Sequence, residues 1–138
     1  MDMPLNYKNL EELIRIFIFI FVSFILIIIP IILPLGFSPD HFNYYSTIEL
    51  PVSQFNFLSF ESFYWLIVYI NQLLFNGDWT SFLLFFSSIY VILSVYIIKR
   101  NSISPTISLI IFILLFYPNF GLIQIRNGVA TAFLWWAL

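Results

Sequence analysis

One arginine stands inside the apolar C-terminal segment of the chain, and its chemistry is the most specific that the sequence offers. Arg126 has Gln124, Asn127 and Thr131 as polar neighbours. A guanidinium is planar and permanently charged, and it matches phosphate and carboxylate groups. An arginine at the bilayer centre costs about 2.5–3.5 kcal/mol on insertion scales, so such residues usually face a cavity or a partner. Arg126 is therefore a candidate anion-binding group, and the alternative is an anchor that reaches lipid headgroups.

Carboxylates form the second candidate set. Asp40 and Glu61 both lie in the segment 37–62, which contains no lysine or arginine. A carboxylate at a membrane boundary can serve as general base for a substrate hydroxyl or pair with Arg126. The simpler alternatives are helix capping and loop hydration, and Asp40 follows Ser38-Pro39, a pattern typical of a helix start.

The rest of the chain limits the chemistry that is available. There is no cysteine, which excludes disulfides, thiolate metal sites and cysteine nucleophiles. A single histidine, His41, predicts a plain polar contact rather than a metal cluster. No phosphate-binding glycine loop, zinc spacing or nucleophile elbow is present. We therefore expect neither cofactor nor metal, and the net charge of -2 gives no reason to expect nucleic acid.

Composition defines the elements that must position these residues. The chain is 62% hydrophobic and 9% charged, with a mean hydropathy of +1.00. Soluble domains carry about 25% charged residues, and so few charges cannot cover a water-facing surface. The 138 residues leave room for about four spans of about 20 residues. The predicted class is an all-α membrane protein, a polytopic helical bundle of about four transmembrane helices.

Apolar runs predict the topology. The segments 16–35 and 79–98 each have about 20 residues, the length that crosses one bilayer core. A third helix is predicted from Ser104-Pro105, with a break at 118–121, and the last segment begins after that break. This helix is short for a span, so bilayer thinning, tilt of its neighbours or extension past Pro118 must accommodate it. Lys8 and Arg15 precede the first run, which predicts a cytoplasmic N-terminus.

The segment 63–75 is ambiguous because about 13 residues reach only about 20 Å as a helix. An apolar stripe with helical spacing runs along it, formed by Phe63, Leu66, Ile67, Ile70 and Leu74. Such a stripe favours a helix that lies in the external interface. This position also keeps Lys99-Arg100 on the cytoplasmic side. We predict the interfacial position, and a membrane span is the alternative.

Three short motifs occur in order along the chain. They are Asp40-His41-Phe42-Asn43-Tyr44, Glu61-Ser62-Phe63-Tyr64 and Ile125-Arg126-Asn127-Gly128-Val129-Ala130. They resemble the D-x-x-x-Y, E-P-G-[FY] and [IL]-R-Q-x-x-A motifs of the EpsG family, bacterial polysaccharide-synthesis membrane proteins that include Wzy-like polymerases. Ser62-Phe63 departs from the Pro-Gly of the second motif, and Asn127 departs from the Gln of the third.

This resemblance implies a transferase at the outer face of the bacterial cytoplasmic membrane. Its donor would be a repeat unit on undecaprenyl pyrophosphate, and its acceptor a sugar hydroxyl on another lipid-linked unit. Membrane lipids, a flippase and a chain-length regulator would be its partners. The fold would resemble the N-terminal part of a C-type membrane glycosyltransferase, with an interfacial helix in the first external loop. Residues 1–138 are then expected to be one transmembrane domain, the N-terminal fragment of a longer polytopic protein.

The resemblance also implies roles for individual residues. Asp40 would be the catalytic base or would orient the acceptor. Arg126, together with Asn127, would stabilise charge that develops on the pyrophosphate leaving group. Glu61 and Tyr64 would shape the sugar or loop contacts. The complete expected set of substrate-binding residues is Tyr44, Glu61, Tyr64, Gln124 and Asn127.

Three other functions fit the sequence. One is a polyprenyl-phosphate-sugar glycosyltransferase that adds a single sugar. Another is a non-enzymatic membrane subunit that scaffolds a polysaccharide-export complex. The third is a truncated, inactive relic of a polymerase. A ladder of polymer lengths would indicate the polymerase, and one discrete product would indicate the transferase that adds a single sugar. Tolerance of changes at Asp40 and Arg126 would indicate the scaffold.

Overall fold

The computed structural model describes residues 7–58 and 62–137, and all regular elements in these ranges are helical. Three of the described helices are long and apolar enough to cross a membrane, namely Leu10–Ile32, Trp79–Asn101 and Pro105–Ile123. The all-α membrane class predicted from composition is confirmed. The protein is a bundle of membrane helices with shorter helices in its connections.

The first helix, α1, spans Tyr7–Ile32. It begins earlier than the predicted segment 16–35, because the amphipathic start of the chain joins the apolar run without a helix breaker. It ends two residues before Pro34, since the residue before a proline disfavours the helical conformation. Gly36 then adopts a φ of 92°, and a Cβ there would lie 2.8 Å from the Phe42 ring. The chain can reverse at this point only because glycine fits.

The second helix, α2, spans Pro39–Ile48. The Ser38 hydroxyl accepts a hydrogen bond from the Asp40 N–H at 3.2 Å, with Pro39 in the first turn. This is the capped start that the sequence predicted. Pro51 follows the helix end and opens a single 3-10 turn, Val52–Gln54.

The third helix, α3, spans Ser62–Phe75 and has 14 residues. At about 1.5 Å per residue it is about 21 Å long, too short for the bilayer core, and its interfacial position stays a prediction. The amide of Gln72 donates to the carbonyls of Ile48 and Leu50 at 2.6 Å and 2.7 Å. These two hydrogen bonds fasten α3 to the end of α2.

The fourth helix, α4, spans Trp79–Asn101 and lies at the centre of the bundle. Its N-cap is Asp78, whose carboxylate accepts the Ser81 N–H at 2.7 Å. The helix packs against α1 and α3 and against both of the C-terminal helices. Its inward side chains, among them Phe82, Leu83 and Val91, are almost completely buried. The core of the protein therefore surrounds α4.

The predicted break at 118–121 is wrong. Helix α5 spans Pro105–Ile111, and a π-helical segment, Phe112–Ile123, continues it through Pro118. A π turn pairs each carbonyl with the N–H five residues later, so the N–H that Pro118 lacks costs one bond and does not stop the helix. The side chain of Asn119 also donates to the Leu115 carbonyl at 3.3 Å. Two short helical stretches thus form one span of 19 residues.

The last helix, α6, spans Ile125–Ala137 and has 13 residues. It crosses the π-helical segment so closely that a Cβ on Gly128 would collide with the Phe120 carbonyl. Ala132, one turn further, is completely buried. The small residues of this segment therefore permit a close helix approach.

Candidate functional site

The site begins at the junction between the π-helical segment and α6. Gln124 leaves the helical conformation, with φ of -111° and ψ of 54°. Its carbonyl then accepts the Gly128 N–H at 2.9 Å, which starts α6. Arg126 is consequently the second residue of a new helix, in the turn whose backbone N–H groups have no partner within the helix.

The start of α2 holds this junction in place. The Ser38 hydroxyl donates to the Ile123 carbonyl at 3.4 Å. Nε2 of His41 lies 3.2 Å from the Leu122 carbonyl, and because a carbonyl only accepts, this nitrogen carries the proton. His41 is 1% exposed and meets the ring of Trp79 edge-on at 5.5 Å. The histidine makes the plain polar contact that the sequence predicted.

Two tyrosine rings lie in cation–π contact with the guanidinium of Arg126. Its guanidinium carbon lies 5.4 Å from the ring centre of Tyr64 and 5.9 Å from that of Tyr44. The two ring centres are 6.1 Å apart, and both tyrosines are buried. A cation within about 6 Å of an aromatic face is attracted by the ring quadrupole. The half-buried Arg126 is thus placed by residues from α2 and α3.

Phenylalanines of α4 support the tyrosine pair from behind. Phe82 and Phe86 have ring centres 4.8 Å apart. Tyr64 packs against Phe86 at 5.7 Å, and Tyr44 packs against Phe82 at 6.1 Å. These phenylalanines were not among the predicted site residues. Their i, i+4 spacing on one helix face is the only signal that could have indicated them.

An apolar groove opens beside Arg126, between α3, α4 and α6. This α3–α6 groove has a volume of about 590 Å³. Its lining residues are Phe63, Tyr64, Phe86, Arg126, Asn127, Val129, Ala130 and Phe133. The polar side chains of Arg126 and Asn127 occupy consecutive positions in the first turns of α6, and the apolar lining continues along it to Phe133. Such a groove suits a ligand that joins an anionic group to an apolar chain.

The other predicted site residues lie around this groove. Asn127 donates to the side-chain oxygen of Gln124 at 3.2 Å, so these two amides hold each other. Asp40 is half-buried and lies one helical turn before Tyr44, outside the groove lining. Glu61 lies outside the described residues. Within the two described ranges, no group of three or more acidic, histidine or cysteine side chains could hold a metal ion.

A second acid acts elsewhere on α2. Glu49 accepts a hydrogen bond from the Tyr45 hydroxyl, and its negative charge disfavours the phenolate. Both effects raise the pKa of Tyr45 above its ordinary value of 10.0. Tyr45 also meets Trp79 edge-on at 6.0 Å. Glu49 therefore has a local partner in Tyr45.

The fold and the site together define a class: a helical membrane protein with a cation at one end of an apolar groove between its helices. The chain belongs to the EpsG family, whose sequence profile matches residues 16–138. This match confirms the resemblance indicated by the three motifs. No curated protein and no solved structure matches the chain. Membership of the EpsG family points to a function like that of a polysaccharide polymerase.

Proposed function

We propose that this chain forms the donor-binding part of a polysaccharide repeat-unit polymerase. The enzyme joins oligosaccharides carried on undecaprenyl pyrophosphate, at the outer face of the bacterial cytoplasmic membrane. The observation that supports this function best is the position of the Arg126 guanidinium, which lies against two tyrosine rings at the polar end of the α3–α6 groove. The pyrophosphate binds at Arg126, and the polyprenyl chain follows the apolar lining.

The arrangement suits the charge changes of glycosyl transfer. An acceptor hydroxyl attacks the anomeric carbon of the donor, and the bond from that carbon to the pyrophosphate oxygen breaks. The leaving pyrophosphate gains negative charge, which a preorganised guanidinium in a partly apolar site stabilises. Backbone N–H groups of the first turn of α6 add to this positive potential. Arg126 therefore acts on the leaving group.

Asp40 is our candidate for the group that removes the proton from the acceptor hydroxyl. It occupies the first turn of α2, one turn before Tyr44, whose ring contacts the guanidinium. A base in this position approaches the donor from the α2 side, while the polyprenyl chain occupies the opposite side. Gln124 and Asn127 then serve as polar contacts beside the phosphates.

Charge distribution supports the proposed orientation in the membrane. Arg15 in the N-terminal part of α1 and Lys99 at the end of α4 line one common groove, so these two basic residues lie at the same end of the bundle. The positive-inside rule places this end in the cytoplasm. Asp40, which follows the far end of α1, then lies on the outer face, where the lipid-linked substrates are polymerised.

The direct test is Arg126→Ala in the full-length protein, expressed in cells that lack their own copy. Long-chain polymer should disappear from the product ladder, while the amount of protein in the membrane stays unchanged. Arg100→Ala, an exposed arginine at the end of α4, is the matched control and should leave the ladder intact. A normal ladder from Arg126→Ala would remove the proposed role. A single product from the wild-type protein would instead assign a transferase that adds one sugar.

A further inference from the structure

A second groove lies between α1 and α4, at the end of the bundle opposite to α2. This α1–α4 groove has a volume of about 780 Å³, and it shares no residue with the α3–α6 groove. Its walls are apolar and come from Ile16, Phe19 and Ile20 on α1 and from Ile92 and Val95 on α4. The proposed polymerase chemistry does not use it.

The dimensions of the α1–α4 groove match one leaflet of a bilayer. On α1 the groove is lined from Glu11 to Ile27, and the part that begins at the first basic residue runs from Arg15 to Ile27. Ile27 lies twelve positions after Arg15, a rise of about 18 Å at about 1.5 Å per residue. Half of a bilayer core of about 30 Å is about 15 Å. An acyl chain of the leaflet at this end can therefore lie along the groove from Arg15 to Ile27.

Charged side chains surround its mouth in a definite order. Arg15 and Lys99 lie next to the apolar walls, and both line the groove. Glu11 and Glu12 also line it, one helical turn further from the membrane centre. All four side chains are exposed. A ligand that enters from the membrane meets positive charge first and negative charge beyond it.

We propose that the α1–α4 groove binds a phospholipid whose phosphate is followed by a primary ammonium, as in phosphatidylethanolamine. The phosphate lies nearest the acyl chains, where Arg15 and Lys99 can donate to its oxygens. The ammonium lies further out, where Glu11 and Glu12 can accept its hydrogen bonds. A choline head cannot donate such bonds. A purely anionic head without an amine would place its outer part against two carboxylates without a compensating charge.

Lipid retention by the purified protein tests this proposal and does not depend on the polymerase activity. The protein is equilibrated in detergent with equal amounts of phosphatidylethanolamine, phosphatidylglycerol and phosphatidylcholine. Bound lipids are then identified by native mass spectrometry. Phosphatidylethanolamine should be retained at least about fivefold over phosphatidylcholine, the scale of one or two exposed charge contacts. Equal retention of the three lipids would overturn the proposal, and this comparison requires no variant.

Variants then test the two halves of the mouth. Lys99→Gln and Arg15→Gln should each reduce phosphatidylethanolamine retention, whereas Arg100→Gln should not. Arg100 is the matched control, because it follows Lys99 directly and is exposed but does not line the groove.

The acids provide the opposite test. The double change Glu11→Gln and Glu12→Gln should shift the preference toward phosphatidylglycerol. An equal loss of retention in Arg100→Gln would contradict the assignment. A protein dimer that retains no lipid would assign the groove to a second copy of the chain.

Discussion

Nε2 of His41 donates to the carbonyl of Leu122 across 81 positions of the sequence, at 3.2 Å. The acceptor belongs to the last turn of the π-helical segment, where the helix ends at Gln124 and its carbonyls lose their later partners. The His41 side chain on α2 therefore supplies the hydrogen bond that the Leu122 carbonyl would have received from a continuing helix. Arg126 follows four residues later, so the same hydrogen bond fixes where α6 begins.

The first prediction concerns this hydrogen bond. His41→Ala should lower the free energy of unfolding by about 1–3 kcal/mol, because it leaves the part-buried Leu122 carbonyl without its donor. It should also reduce polymer formation, since the backbone before Arg126 loses its attachment. Thermal unfolding in detergent and the product ladder provide the two measurements. His41→Gln keeps an N–H donor at similar reach and should retain most of the stability and most of the polymer formation. A loss as large in His41→Gln as in His41→Ala would show that the hydrogen bond is not the cause.

The second prediction separates the ring face of Tyr64 from its volume. Tyr64→Phe keeps an aromatic face beside the guanidinium, whereas Tyr64→Leu removes it. The Leu variant should bind lipid-linked pyrophosphate more weakly than the Phe variant by about 1 kcal/mol, roughly fivefold. Binding of the donor lipid to the purified protein measures the difference. Identical affinities of the two variants would mean that the cation–π contact does not place Arg126.

The third prediction uses the close approach at Gly128. Gly128→Ala should destabilise the protein, although alanine is the better helix former by about 1 kcal/mol, because its Cβ would meet the Phe120 carbonyl. Ala130→Gly is the reverse substitution at an exposed position of the same helix. This substitution should lower the free energy of unfolding by about 1 kcal/mol, because glycine has the lower helix propensity. Both values come from thermal unfolding. A more stable Gly128→Ala variant would show that α6 can move away from the π-helical segment.

The fourth prediction concerns topology, and the absence of native cysteine makes it direct to test. Thr80→Cys lies at the start of α4 and Asn101→Cys at its end, both at exposed positions. A membrane-impermeant maleimide added to intact cells should label the first and not the second. This result requires α3 to stay in the outer interface. Labelling of Asn101→Cys from outside would mean that α3 crosses the membrane.

Local patterns in the sequence predicted local structure well. The helix start at Ser38 was expected because a capping side chain acts on backbone groups only two or three residues away. The break predicted at Pro118 was wrong for the opposite reason. A π turn depends on how the surrounding helices pack, and its residue types do not differ from those of an interrupted helix.

The candidate site was predicted in part, and the missing part is long-range. Arg126 was indicated by its charge in an apolar segment, and Tyr44 and Tyr64 by the resemblance to the EpsG motifs. Only their i, i+4 spacing sets Phe82 and Phe86 apart among the 18 phenylalanines of the chain, because the folded bundle alone brings them behind the tyrosines. The same holds for the pairing of His41 with Leu122, whose acceptor is a backbone atom that every residue has.

Helix α2 is fastened at both ends, and this has a consequence for the α3–α6 groove. Its first turn holds the junction before α6 through Ser38 and His41, and its last carbonyl is held by Gln72 of α3. Helix α2, which lies outside the groove, thus connects the two opposite walls of the groove, α3 and α6. The spacing of those walls is set by the length of α2, so inserting or deleting a helical turn there would resize the groove without altering any residue that lines it.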